Sequence, residues 1–157
     1  MKLPVSQIQP EGTYFEGTCE EDIFNLQEKT VRTAGGTHYA IHAFPTDEGI
    51  AVSGKLTAPF ELECTRCLTH FPYDVTIGDF NAEVPVTGDH FADLTETLRE
   101  DILLALPGYP RCEMSTSEGW KCAAEGRFDQ AQEGNEDAAD GRPSPWGALD
   151  GLGSPPQ

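Results

Sequence analysis

From Thr37 to Val86, apolar side chains recur at every second position, broken only by short polar or proline-containing segments. A period of two sends alternate side chains to opposite faces of an extended chain, so this stretch predicts antiparallel strands with one buried face. In the first run Tyr39, Ile41 and Ala43 share one face, opposite His38, His42 and Phe44. Pro45-Thr46-Asp47-Glu48-Gly49 has the composition of a turn. Ile50, Val52 and Leu56 alternate next; Pro59 is expected to interrupt them, and Phe60, Leu62 and Cys64 resume the period. After Cys64-Thr65-Arg66-Cys67 the pattern returns in Phe71, Tyr73, Val75 and Ile77. Phe80, Ala82, Val84 and Val86 either prolong that strand or start another. Two alternating runs joined by a short polar segment predict a hairpin with the cysteines at its connection.

The flanks complete the outline. Residues 3–10 suggest a short strand or arm through Leu3, Val5 and Ile8, while 12–26 are ambiguous, with Tyr14, Phe15, Ile23, Phe24 and Leu26 as core candidates. A helix is predicted over about 93–106. Asp93 and Glu96 are spaced as a capping box, Leu94, Leu98, Ile102 and Ala105 share one face, and Pro107-Gly108 stops it. The expected fold class is α+β: a mainly antiparallel β-sheet domain over residues 1–122 with one packing helix. Residues 123–157 carry seven acids against two bases, and Phe128 is the only large apolar side chain before 143. Such a composition predicts a disordered acidic tail. It ends in one apolar motif at 143–152, whose Pro145, Trp146, Leu149 and Leu152 have the form of a partner-binding segment. Docking of that motif on its own domain is the alternative.

Charge excludes some functions. With 27 acids, 10 Lys and Arg, and a formal charge of −17, the chain lacks the cationic footprint that a nucleic-acid backbone requires. Its sign suits a basic protein partner, or simple solubility. No apolar run approaches the ~20 residues that span a bilayer, and the N-terminus has no signal-peptide pattern. The expectation is a cytoplasmic protein without membrane contact, where thiols stay reduced.

In that setting the five cysteines favour metal or thiol chemistry over a disulfide. Cys64 and Cys67 have the spacing of a zinc knuckle. Cys112 and Cys122, nine residues apart between them, make an imperfect second pair. Zinc held by Cys64, Cys67, Cys112 and Cys122 is one reading. Thiol redox or metal handling through Cys64 and Cys67 is a second, disfavoured because a reactive Cys-x-x-Cys usually opens a helix. Four packed, reduced cysteines are the third. Cys19 is left over as a buried or half-buried thiol. His38 and His42 read as surface residues on a strand, and His70 as an alternate zinc ligand. No phosphate loop or nucleophile elbow occurs, so neither an enzyme nor a small-molecule substrate is expected.

Phe60-Glu61-Leu62-Glu63-Cys64-Thr65-Arg66-Cys67-Leu68, then Asp93-Leu94, then Leu103-Leu104-Ala105-Leu106-Pro107-Gly108-Tyr109-Pro110-Arg111-Cys112 resemble the YceD family of large-subunit ribosomal RNA accumulation proteins. Residues 143–152 are similar to the Asn-Pro-Phe-x-x-Leu-x-x-Leu ending of many members. The resemblance implies a non-catalytic role in accumulation or maturation of large-subunit rRNA, with a ribosomal protein or the rRNA precursor as partner. Many members carry a second Cys-x-x-Cys where this chain keeps only Cys122. Arg66, Arg99, Arg111 and Lys121 lie near the cysteines in sequence and form a candidate basic patch, if the fold gathers them.

Overall fold

The computed structural model describes residues 1–20, 23–87 and 90–127. Met1–Ala123 form one compact unit and Ala124–Gln157 a second. In the second unit the Arg127 N–H donates to the Ala124 carbonyl in a turn, 3.2 Å. The motif at 143–152, with Pro145, Trp146, Leu149 and Leu152, lies outside the described residues.

The first unit is mostly antiparallel sheet with a single helix among the described residues, as the alternation predicts. Its larger sheet is built on a long hairpin, β5 (Ile50–Glu63) and β6 (His70–Val84). The other edge of β5 is shared by β4 (Thr37–Pro45) and β3 (Val31–Thr33), and β2 (Thr13–Cys19) pairs with β4. A smaller sheet joins β1 (Lys2–Pro4), β8 (Phe91–Asp93) and β7 (Val86–Thr87). Helix α1 runs Thr95–Leu104.

Even-numbered side chains of β5 from Ile50 to Leu62 face the core, and all but Gly54 are buried. On β6 the buried phase changes from odd (Phe71, Val75) to even (Phe80, Val84). The cause is a bulge: Gly54 pairs with Phe80 but Leu56 with Ile77, so β6 carries one extra residue there. Phe80–Val84 therefore prolong β6. A bulge turns the strand so that both halves present apolar side chains to one core. Gly54 is required by a close approach, since a Cβ there would stand 2.3 Å from the Ala40 carbonyl oxygen on β4.

Pro59 does not interrupt β5, contrary to expectation. The N and C=O of a strand residue point to the same side, and the Pro59 carbonyl accepts the Ala34 N–H at 3.0 Å in the gap between β3 and β4. No ladder N–H is needed there, so proline is tolerated. Pro72 sits on the outer edge of β6 for the same reason.

Leu98 and Ile102 of α1 are buried, as are Leu94, Ala92 and Leu3 beside them. The helix starts two residues later than expected. Asp93 ends β8, paired with Lys2, and caps from there: its carboxylate accepts the Thr95 N–H at 3.0 Å and hydroxyl at 2.6 Å. Glu96 does not close a capping box; it pairs with Arg99 at 3.3 Å. Phe24 fills the centre of the core, edge-on to Phe60 with ring centroids 5.1 Å apart. Burying one such ring contributes about 1.5–3 kcal/mol.

Candidate metal centre

The hairpin β5–β6 ends at the Glu63–His70 pair, leaving six residues to turn the chain. The Cys64 N–H donates to the Thr69 carbonyl at 3.0 Å, and the Leu68 N–H donates to the Cys64 carbonyl at 2.9 Å. Closing this turn puts Leu68 at φ +59, a left-handed conformation that a leucine adopts at a cost of about 1–2 kcal/mol. Its side chain is 69% exposed and gains little packing in return. The turn aims both cysteine sulfurs to one side.

A second segment is fastened across the turn. The Pro110 carbonyl accepts the Thr65 N–H at 2.9 Å and the Thr65 hydroxyl at 3.1 Å. Arg66 pairs with Glu113 at 3.2 Å. The Pro72 carbonyl accepts the Ser115 hydroxyl at 3.1 Å and the Thr116 N–H at 3.2 Å. Between these clips, the 3-10 turn Cys112–Met114 buries Cys112 against the knuckle. The chain then folds back at Ser117–Trp120, with Gly119 at φ +76, and returns Cys122 to the same place. The long Cys112–Cys122 spacing is thus a loop closed on itself.

One sulfur from each of Cys64, Cys67, Cys112 and Cys122 lies within 4.8 Å of the other three. The Cys67 and Cys112 sulfurs are 3.5 Å apart. A tetrahedral zinc with Zn–S of about 2.3 Å requires S···S separations of about 3.8 Å, so a tetrathiolate ion fits with small side-chain adjustments. Four thiols offer a closed, soft donor set of the kind zinc takes in structural sites.

Local electrostatics bear on which sulfurs ionise. Burial pushes the Cys64 thiol up, but the backbone N–H groups of Cys67, Arg66 and Cys112 bond its sulfur and bring it below the ordinary thiol range. Burial also opposes ionisation of Cys67, yet the Thr69 hydroxyl and N–H, with the Cys112 and Cys64 thiols, bring it down to about 6. Cys112 is pushed up to about 12 by burial and by its sulfur neighbours Cys67 and Cys64, against the opposing Trp120 indole N–H. Ionisation is thus favoured on the knuckle and resisted at Cys112, where a bound cation would offset the cost.

The other candidates fall outside the centre. The His70 ring bonds the Lys29 carbonyl at 2.9 Å through Nε2, so it is engaged elsewhere. His38 bonds the Thr18 hydroxyl and His42 packs between Tyr14 and Phe44, all on the exposed sheet face. Cys19 is buried in the core. Of the basic candidates, Arg66 and Arg99 are each paired with a glutamate, Arg99 lies on α1, and exposed Arg111 and Lys121 flank Cys112 and Cys122. Thr65, Thr69 and Trp120 also shape the centre, and in the sequence only their places beside the cysteines mark them. Among the described residues no helix is long and apolar enough to cross a membrane. No family model, no curated protein and no solved structure matches this chain.

Proposed function

We propose that this protein is a non-catalytic binding factor whose Cys64, Cys67, Cys112 and Cys122 hold a structural zinc ion. We further propose that it serves accumulation or maturation of large-subunit rRNA, as the YceD resemblance implies. The observation that carries the first part is the convergence of four thiols from two separately anchored segments. Bound zinc would cross-link the 64–69 turn to the 110–122 segment. With four protein sulfurs around it, no position stays open for water or substrate, which argues against catalysis. A reduced cytoplasmic setting suits such a centre. The charge of −17 favours a basic ribosomal protein over bare rRNA as the direct partner. The apolar motif at 143–152 is the proposed contact.

Two measurements test this. Elemental analysis of freshly purified protein should give one zinc per chain, lost in Cys112→Ser. Tagged protein should then capture ribosomal proteins in a salt-dependent manner, and deletion of 143–157 should abolish the capture. Metal-free protein sinks the first part, and capture unaffected by the deletion removes the motif from the second. The competing reading, thiol redox or metal handling through Cys64 and Cys67, draws on the half-buried Cys67 thiol beside Cys112. It requires fast alkylation of Cys67 in protein that carries no stoichiometric metal.

A further inference from the structure

The four sulfurs are not equally accessible. Cys64 and Cys112 are 0% and 2% exposed, whereas Cys67 and Cys122 are half-buried; of these two, Cys67 is the one whose sulfur stands beside that of Cys112. Cys67 and Cys112 belong to different segments, 45 residues apart, yet their sulfurs stand 3.5 Å from each other. A disulfide needs about 2 Å between sulfurs, so a pair already 3.5 Å apart has only about 1.5 Å left to close.

We infer that the centre is an oxidation-controlled clasp: peroxide joins Cys67 to Cys112 as a disulfide and thereby releases the metal. This rests on the zinc reading above. In the first step the Cys67 thiolate attacks one peroxide oxygen, the O–O bond breaks, hydroxide leaves and Cys67 becomes a sulfenic acid. The Cys112 thiolate then attacks the Cys67 sulfur; the S–O bond breaks and a second hydroxide leaves. Two electrons pass from the pair of sulfurs to the peroxide, and both hydroxides take protons from solvent to give water. Only Cys64 and Cys122 would then remain to hold a zinc ion, two sulfurs short of a closed site. A dithiol reductant returns both thiols and restores the site.

The geometry also sets what the clasp does. Thr65, Pro110 and the new disulfide keep the 110–112 arm on the knuckle. Glu113, Ser115 and Thr116 keep their bonds to Arg66 and Pro72, so it is the 117–122 part, returned to the centre by Cys122, that loses its metal anchor. Oxidation thus loosens one loop while leaving the sheet intact.

The test uses the full chain with its zinc content measured beforehand. It is exposed to hydrogen peroxide in the presence of a chromogenic zinc chelator, and the product is mapped by mass spectrometry. The expected result is one zinc released per two thiols lost, a mass decrease of two hydrogens, and a Cys67–Cys112 cross-linked peptide. Dithiothreitol plus zinc should reverse all three, and Cys19→Ser should behave as the parent. Protein that never held zinc overturns the metal reading and the clasp with it. Zinc-loaded protein that keeps its metal, or that links Cys64 or Cys122 instead, overturns the clasp alone.

Discussion

Thr65 binds the Pro110 carbonyl twice, its N–H donating at 2.9 Å and its hydroxyl at 3.1 Å. This paired contact fixes the second cysteine segment over the first without any metal. Thr65→Val keeps the shape and the N–H bond but removes the hydroxyl. Stability should fall by about 0.5–1.5 kcal/mol, the usual net worth of one hydrogen bond, measured by urea unfolding. An unchanged midpoint would show that the hydroxyl bond is replaced by water.

If the four thiols hold zinc as proposed, removing it should loosen the segment selectively. After chelation, amide exchange should accelerate across 64–69 and 110–122, while β4, β5 and the central part of β6 stay protected. At free zinc a thousandfold above its dissociation constant, the zinc form should be about 4 kcal/mol more stable than the apo form. Uniformly faster exchange over the whole sheet would mean that the centre supports the core itself.

Leu68→Gly should leave stability unchanged or raise it by up to about 1 kcal/mol. Relief of the left-handed strain is partly offset by the greater freedom of glycine in the unfolded chain. Little apolar contact is lost, because Leu68 is 69% exposed. Chemical denaturation measures this, and a loss above 1 kcal/mol would show that the side chain packs in a way its exposure does not suggest.

Phe60→Ala removes a ring with 0% exposure that contacts Phe24 edge-on, and should cost about 3–5 kcal/mol. Tyr14→Ala, on the open face of the sheet and 51% exposed, should change stability by no more than about 0.5 kcal/mol. Comparable effects at both sites would contradict the sidedness of the sheet.

The Asp93 carboxyl is held below its ordinary range, first by the Thr95 hydroxyl and N–H and then, against partial burial, by the N-terminal ammonium and Lys2. Its folded value lies below its unfolded one, so its contribution is fully present above the unfolded value of about 4 and is lost as pH falls through the folded value. The stability difference between wild type and Asp93→Asn should be constant near neutral pH and shrink below about pH 4. A difference that grows in acid would reverse the sign and refute the assignment.

Much of the sheet could be read from residues alone, because β4, β5 and β6 each bury one face and the period of two runs from Ile50 to Cys64. The limits had physical causes. The phase change at Gly78 is a bulge, which an alternation test sees as a break. Pro59 looked like a stop, but whether a strand tolerates proline depends on which neighbour its nitrogen faces. Asp93 caps α1 from within a strand, where local spacing does not separate capping from pairing. At the candidate centre, Cys64 and Cys67 stood out by spacing. Cys112 and Cys122 did not, since their convergence depends on Gly119 and on clips from Thr65 and Pro72 made across the fold.

The Pro72 carbonyl, bonded to Ser115 and Thr116, has a consequence for behaviour in concentrated solution. Pro72 lies on the outer edge of β6, where unpaired backbone groups would otherwise recruit a strand from another molecule. The segment carrying Cys112 shields that edge, so the same loop that completes the thiol cluster also guards against self-association. If the four thiols hold zinc, its loss should therefore show itself first as slow, concentration-dependent aggregation, well before any unfolding of the sheet.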